Sequence, residues 1–359
     1  MKLIKIFLLN ILTCSLFLLS VEAQEKIKVG AVLSLTGAAQ HWSNSSKMGL
    51  LLAQEEINSQ GGIGGKNIEL IFEDTQTQPA KSVTAYKKLV SIDKVDFLIG
   101  DVWSFLTNPL IPLAEKDKKI LISPTLMKES SEKSSPYFFS LGYEVKSIIE
   151  PVNKFFNKNK NINSLGILCL EDMWGQSHLK IWKEVAKKNG VKNIYEMCGY
   201  DFYSSYQTEI TKLAKLKVDA VIVAFGSERA LARIKEQKFN PIVLTTSDMV
   251  EAVKLRNVSK ELVEDVYFTD WAMAEEFKEK FKKKFNSEPV LEAQNSFEAL
   301  RALAKAIEKN PDNPEIGFKQ VMYDGVGGKI DFKSDNFGNK AQANLYQVKD
   351  GEFVECGAE

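Results

Sequence analysis

Short apolar runs alternate with longer amphipathic stretches along most of this chain. The apolar runs predict buried strands at residues 27–34, 68–73, 95–100, 119–123, 164–170, 192–198, 218–224, 241–245 and 265–269. Between them, apolar residues recur at helical spacing and predict helices that include residues 82–92, 108–118, 176–189 and 206–216. Short buried strands joined by helices are typical of parallel sheets covered by helices on both faces. The pattern therefore predicts an α/β fold.

The polar stretch SSEKSSPYFFSLGYE at residues 130–144 interrupts this alternation, and we interpret it as a first crossover between two similar lobes. Two further helices are predicted at 272–285 and 291–309, after the second set of strands. The last part of the chain alternates like antiparallel strands at 329–332 and 343–348. A chain of 359 residues is also longer than one hydrophobic core usually serves, so we expect two domains.

The first 23 residues have the three parts of a secretory signal peptide. Lys2 and Lys5 precede an apolar segment at residues 6–19, and small residues at 21–23 form a cleavage site that ends at Ala23. The apolar segment is shorter than the ~20 residues that a membrane-spanning helix requires. We therefore expect export, with cleavage near Ala23.

The charge balance bears on the expected partners, and the cysteine content bears on disulfide pairing. The chain has 47 Lys and Arg against 47 Asp and Glu, and this balance gives no electrostatic reason to expect nucleic acid or a membrane surface as a partner. Beyond the predicted signal peptide lie Cys169, Cys198 and Cys356. An exported protein can oxidise two of them, but the sequence does not determine which pair, if any.

A sequence motif near the start of the chain, the phrase formed by two segments, indicates a family. The strand-like KIKVGAVLSLTGAAQHW at 26–42 is followed by QEEINSQGGIGGKNIELIFED at 54–74. An LTG turn, a helix ending in INxxGGIxG and a strand ending in ED occur in order and at matching spacing. The phrase resembles the opening of the type I periplasmic solute-binding proteins, the family of the leucine/isoleucine/valine-binding protein. The resemblance covers nearly all of the chain beyond residue 23 and is strongest at 27–125.

The resemblance implies two α/β lobes, each a mostly parallel sheet flanked by helices, joined by a three-strand hinge. The N-terminal lobe would comprise residues 24–140 plus 271–328, and the C-terminal lobe 141–270 plus 329–359. It also implies a monomeric periplasmic protein without a cofactor, which binds a small molecule such as an amino acid in the cleft and delivers it to an ABC permease in the inner membrane. Ligands of such sheets bind beyond the carboxyl ends of the strands.

The resemblance assigns four cleft residues to the first lobe. Trp42 takes the place of an aromatic residue that packs against the ligand, and Ser104 that of a serine that binds the ligand carboxylate. A helix start with a serine suits an anion, although a simple N-cap would give the same sequence. Thr125 occupies a position that contributes a backbone group, whereas Met127 replaces the family's second hydroxyl. That replacement argues against a plain branched-chain amino acid as the ligand.

Three further residues come from the second lobe. Trp174 lies in the segment EDMWG at 171–175, which is similar to the family's D-x-x-Tyr/Trp-G loop, and would face Trp42 across the ligand. Ser227 follows a predicted strand at a position of ligand contact. Asp248 aligns with a carboxylate that pairs with the ligand ammonium, although an Asp there also suits a helix N-cap.

Two other classes of function, catalysis and sensing, are compared with solute transport. Catalysis lacks support, because His41 and His178 lie in different predicted lobes and form no zinc-binding pattern, and FGSER lacks the second glycine of a nucleophile elbow. A periplasmic sensor for amides, urea or aromatic acids has the same fold and is not distinguished by the sequence. The identity of the ligand stays open.

Overall fold

The computed structural model describes residues 25–130, 135–200, 205–254 and 258–357. The predicted signal peptide and its cleavage site lie outside the described residues. Two sheets with flanking helices form two lobes, which confirms the predicted two-lobe α/β fold. Within the described ranges, no helix is both long and apolar enough to cross a membrane.

The first lobe is built on a five-stranded parallel sheet. Its strands, in the spatial order β2-β1-β3-β4-β5, are β1 (Ile27–Leu33), β2 (Ile68–Asp74), β3 (Phe97–Ile99), β4 (Leu121–Ser123) and β5 (Phe138–Ser140). The connecting helices are α1 (Gln40–Ser59), α2 (Pro79–Ser91), α3 (Ser104–Thr107) and α4 (Ile111–Asp117). A 3₁₀ turn at Asn108–Leu110 joins α3 to α4, so helical structure begins four residues before the predicted start at 108.

The second lobe repeats this arrangement with five parallel strands. They are β6 (Ser164–Leu170), β7 (Asn193–Tyr200), β8 (Ala220–Val223), β9 (Ile242–Thr245) and β10 (Tyr267–Trp271). Its helices are α5 (Ile149–Lys158), α6 (Met173–Lys188), α7 (Gln207–Leu216), α8 (Ser227–Glu236), α9 (Asp248–Lys254) and α10 (Lys260–Val263). Each strand predicted between 164 and 269 is present, with bounds that differ by at most two residues.

Two helices after β10 return to the first lobe: α11 (Glu275–Phe285) and α12 (Leu291–Lys309). Phe277 of α11 and Phe297 of α12 are buried in one apolar cluster with residues of β1. Helix α12 lies close against α1, because a Cβ added at Gly49 would come within 2.0 Å of the Ala293 carbonyl oxygen. This packing brings the start of α12 to the cleft, where it contributes to the site.

The short helix α13 (Pro314–Gly317) leads into a hairpin of β11 (Met322–Gly325) and β12 (Gly328–Asp331). Ile330 and Phe332 are buried with the first-lobe core, and the Phe332 ring meets Phe139 edge-on at 5.9 Å. Strands β13 (Ala343–Lys349) and β14 (Glu352–Glu355) then complete the second sheet, β13 antiparallel to β10 and β14 antiparallel to β13 at the edge. The lobe boundaries remain a prediction, and this packing favours a start of the last second-lobe segment after residue 332 instead of at 329.

Three connecting segments lie side by side between the lobes, after β5, after β10 and before β13. The Tyr143 ring of the first stacks on Trp271 at the end of β10, with centroids 4.3 Å apart. Asn339 of the third donates from Nδ2 to the Leu141 carbonyl at 3.0 Å. These contacts hold the predicted three-segment hinge together.

Cysteine pairing is decided by strand register. Cys169 of β6 and Cys198 of β7 are direct neighbours on adjacent parallel strands and form a disulfide. Cys356 is buried as a free thiol.

Candidate functional site

A cavity of 790 Å³ lies between the lobes, at the carboxyl ends of strands from both sheets. Six of the seven predicted ligand-binding residues line it: Trp42, Ser104, Thr125, Met127, Trp174 and Asp248. Ser227 is not among the lining residues and is fully buried behind Asp248. The six predicted residues that the cavity brings together are up to 206 positions apart in the sequence.

Trp42 joins the two lobes across the cavity. It lies in the first turn of α1, and its indole Nε1 donates to Oε1 of Glu251 in α9 at 2.6 Å. Its ring lies 5.8 Å from that of Phe225, which follows β8, and 5.5 Å from that of Trp103. The lobes thus touch through one hydrogen bond and an aromatic group that closes one side of the cavity.

The other first-lobe residues come from the loops after β3 and β4. Ser104 is the first residue of α3, whereas Trp103 occupies the N-cap position. Thr125 donates its hydroxyl to the Val102 carbonyl at 2.6 Å, so toward a ligand that hydroxyl is left with its acceptor capacity. Met127 is buried and contributes apolar surface.

Trp174 is held in place by the start of α6. Asp172 caps this helix by accepting the Gly175 N–H at 2.8 Å, and burial raises the pKa of Asp172. Beneath Trp174, the His178 ring lies 4.2 Å from the indole, and its Nδ1 is 2.8 Å from the Trp174 carbonyl. Burial lowers the pKa of His178 to about 4, so the imidazole is neutral at pH 7.

Asp248 carries several hydrogen bonds from its own lobe. The Ser227 N–H donates to Oδ2 at 2.9 Å, and the Thr245 hydroxyl donates to Oδ1 at 2.9 Å. The Ser227 hydroxyl lies 2.8 Å from both carboxylate oxygens. Burial raises the pKa of Asp248, and the bonds from Ser227 and Thr245 oppose that shift. Asp248 therefore ties the loop after β8 to the loop after β9 as well as lining the cavity.

Several lining residues were missed by the sequence reasoning. Trp103 and Phe225 directly follow predicted strands, so the rule that ligands bind beyond strand ends would have found them. Glu251 lies one helical turn beyond Asp248. Asp270 directly follows the strand predicted at 265–269, so the same rule would have found it. Glu292 carried no local signal, because it lies at the start of a helix that only tertiary packing brings to the cavity.

Metal binding has no visible basis in the described ranges. They contain no group of three or more His, Cys, Asp or Glu side chains arranged to hold a metal ion.

A family model described as a periplasmic binding protein matches residues 26–352. The chain belongs to the type I periplasmic binding protein family. Among curated relatives, a leucine-, isoleucine-, valine-, threonine- and alanine-binding protein of Pseudomonas aeruginosa is 25% identical over 178 residues, covering 47% of this chain and 46% of that protein. A Leu/Ile/Val-binding protein of Rhizobium johnstonii is 30% identical over 206 residues, covering 57% and 55%. The chain thus spans about half the length of these relatives.

Solved structures share the fold over the whole of their length. A leucine-binding protein of Thermotoga maritima superposes with a TM-score of 0.79 at 18% identity, covering 92% of this chain and 98% of that one. An ABC transporter solute-binding protein of Rhodopseudomonas palustris in complex with 3,4-dihydroxybenzoic acid gives 0.80 at 19% identity, covering 92% and 96%. At these identities the likeness concerns the fold alone.

Proposed function

We propose that this protein is the periplasmic ligand-binding component of an ABC uptake system, and that it closes around a small amino acid or related zwitterion and delivers it to a membrane permease. The observation that carries the proposal is the enclosed cavity between the lobes, crossed by the Trp42–Glu251 hydrogen bond. Hinge closure buries a ligand between two such lobes and gives the closed form a distinct surface for a partner to bind.

In the proposed complex, Ser104 and the backbone at the start of α3 hold the ligand carboxylate, because N–H groups at a helix start favour negative charge. The Trp42 and Trp174 rings enclose the rest of the ligand and attract an ammonium by up to ~2 kcal/mol when it is desolvated. Asp248 would add its negative charge from behind the hydroxyls that already bind it. Thr125 and Met127 would shape the first-lobe wall.

Export to an oxidising compartment is supported by two independent features. The first is the signal-peptide pattern of residues 1–23. The second is the Cys169–Cys198 disulfide, because disulfides form and persist mainly outside the cytosol.

A second candidate is a receptor for aromatic acids, amides or urea that signals instead of transporting. The aromatic side chains on the cavity wall favour flat ligands, and Trp103 and Phe225 add to the two predicted tryptophans. The solute-binding protein of Rhodopseudomonas palustris, which has a similar fold, is in complex with 3,4-dihydroxybenzoic acid.

The test is a thermal-shift screen of the exported chain against the twenty amino acids, short amides, urea, aromatic acids and small sugars. A ligand at 100 times its Kd stabilises the folded state by about 2.7 kcal/mol, which raises the melting temperature measurably. A hit among amino acids that is lost in Trp174→Ala supports the proposal. Hits confined to amides or aromatic acids would replace it with the second candidate.

A further inference from the structure

The cavity extends beyond the predicted ligand contacts toward the hinge. This hinge-side pocket is formed by Asp270 near the end of β10, by Glu292 and Asn295 in the first turns of α12, and by Tyr143. None of these residues was predicted as a ligand contact. They come from the connecting segments and from the first-lobe helix that follows them, so their arrangement depends on both lobes.

The cavity wall carries more negative than positive charge. Eight carboxylates line it, against three lysines. Each lysine is already paired with one of these carboxylates: Lys254 with Glu352 at 3.1 Å, Lys278 with Glu275 at 2.6 Å and Lys282 with Glu288 at 2.9 Å. Five carboxylates are left without a lysine.

Three of these five have other donors. Asp172 caps α6, Asp248 accepts from Ser227 and Thr245, and Glu251 accepts the indole N–H of Trp42. His41 also lies near Glu251, with Nε2 3.8 Å from Oε2.

Asp270 and Glu292 differ from these three. Each has a single backbone N–H as its hydrogen-bond donor, from Trp271 for Asp270 and from its own residue for Glu292. Lys278 attracts Asp270 from a distance but is bonded to Glu275. The two acids are therefore the carboxylates of the cavity wall that no side-chain donor or cation satisfies among the described residues.

Burial makes this arrangement unfavourable in the empty protein. It raises the pKa of Asp270 to about 7 and that of Glu292 to about 7, and the charge of Glu292 adds to the shift of Asp270. Two partly buried acids that repel one another cost free energy when both are ionised, unless a cation compensates them.

Asn295 gives a second, independent sign of a ligand here. It lies one turn after Glu292 on α12, is 3% exposed and lines the cavity. Its Oδ1 accepts the Tyr143 hydroxyl at 3.1 Å, whereas its Nδ2 has no partner in the described part of the chain. This Nδ2 faces the cavity instead of the protein interior, so it can donate a hydrogen bond to a ligand that also meets the two carboxylates.

We propose that the hinge-side pocket binds a cationic group of the ligand, an ammonium or guanidinium that Asp270 and Glu292 hold together, while an oxygen of the ligand accepts from Asn295. The ligand class is then a basic amino acid or a similar amine, longer than leucine. This inference rests on the proposed function and specifies its substrate class.

Paired probes that differ only in the distal charge test the inference. Isothermal titration calorimetry at pH 8 compares lysine with norleucine, and arginine with citrulline, on the exported chain. We expect lysine or arginine to bind at least tenfold more tightly than its neutral counterpart. In Asp270→Asn and in Glu292→Gln this preference falls to less than threefold. Glu308→Gln, an exposed change on the same helix, serves as the matched control and keeps the full preference.

The outcomes separate the two proposals. If norleucine or citrulline binds and the charged compounds bind no better, the pocket is not a cation site although the protein remains an amino-acid binder. If no amino acid binds but an aromatic acid does, both proposals fail. A third outcome is that no amine binds, whereas Ca²⁺ or Mg²⁺ raises the melting temperature of the exported chain but not that of Asp270→Asn. In that case the pocket holds an inorganic cation and the inference is wrong. Circular dichroism shows whether each variant is folded. If Asp270→Asn does not fold, the affinities of Glu292→Gln decide between the outcomes.

Discussion

The strand-end loops contain buried carboxylates and the hinge-side pocket contains partly buried ones, and the chain supplies the two groups with hydrogen-bond donors very differently. Asp101, after β3, accepts the Ser34 and Thr75 hydroxyls at 2.7 Å each, the Ser43 hydroxyl at 3.0 Å and the Val102 N–H at 2.7 Å. It is fully buried and does not line the cavity.

Asp248 is the second-lobe counterpart of Asp101. Each is a buried aspartate after a central strand, bound by serine and threonine hydroxyls and by one backbone N–H. Burial raises the pKa of both carboxyls, and the same kinds of donor oppose the shift. Asp270 and Glu292 are partly buried and lack these side-chain donors. The comparison teaches that burial alone does not mark a ligand site, whereas a partly buried acid on the cavity wall without side-chain donors is a candidate for one.

The largest effect on stability is expected from removing the carboxylate of Asp101, which accepts hydrogen bonds from three hydroxyls and an N–H. Asp101→Ala removes the acceptor of three hydroxyls and an N–H in a site without solvent, and the hydrogen bond between Ser34 and Thr75 can satisfy only one of these donors, so the free energy of unfolding should fall by about 3–5 kcal/mol. Urea denaturation followed by circular dichroism measures it, with Glu308→Gln as an exposed control. A loss below 1 kcal/mol would show that Asp101 is not the centre of this network.

A similar but smaller loss is expected at Asp248. Asp248→Asn turns one acceptor into a donor beside the Ser227 N–H, so stability should fall by about 2 kcal/mol. A double-mutant cycle with Ser227→Ala isolates their interaction, and coupling of about 1–2 kcal/mol is expected for partners in direct contact. Independent, additive effects would contradict the tie between the two loops and would favour a role for Asp248 in ligand binding alone.

Replacing an acid of the hinge-side pocket should raise the free energy of unfolding instead of lowering it. Because the pKa of Asp270 is raised to about 7 in the folded protein, the native state holds its proton more tightly than the unfolded chain. Stability from this group is therefore lost as the pH rises from about 4 to 7 and stays lost above that range. Asp270→Asn should stabilise the ligand-free protein by roughly 1–2 kcal/mol at pH 8, and the gain should vanish near pH 4. Thermal unfolding across this pH range measures it, and destabilisation at pH 8 would place Asp270 with the structural acids.

The smallest effect is expected at the contact between the lobes. Trp42→Phe keeps an aromatic ring but removes the indole N–H that reaches Glu251, so ligand affinity should fall by about 1 kcal/mol through faster dissociation. Stopped-flow measurement of ligand release tests this, with Trp182→Phe as a control for tryptophan loss in the second-lobe core. An unchanged release rate would mean that this hydrogen bond does not hold the closed form.

Much of the fold was predictable, because each strand is a short apolar run and each long helix has an apolar face. Strand 164–170 and helix 291–309 were predicted with their observed bounds. The segment around residue 330 shows the limit of such patterns. Its alternation correctly predicted a strand, yet Ile330 and Phe332 pack with the first lobe, and no local pattern shows which core an alternating strand will join.

Six residues of the cavity wall were also predictable, since the resemblance carries strand-end motifs that act locally. The sequence by itself determined the strands, the long helices and the loops that face the cleft, because hydrophobic periodicity and turn residues are encoded over short stretches. Tertiary structure alone decided that Ser227 lies behind Asp248, that Cys169 pairs with Cys198, and that Asp270 and Glu292 line the cavity without a side-chain donor. The physical reason is that hydrogen-bond satisfaction and burial depend on which distant segments pack together, and those segments meet only when both lobes and the hinge have formed.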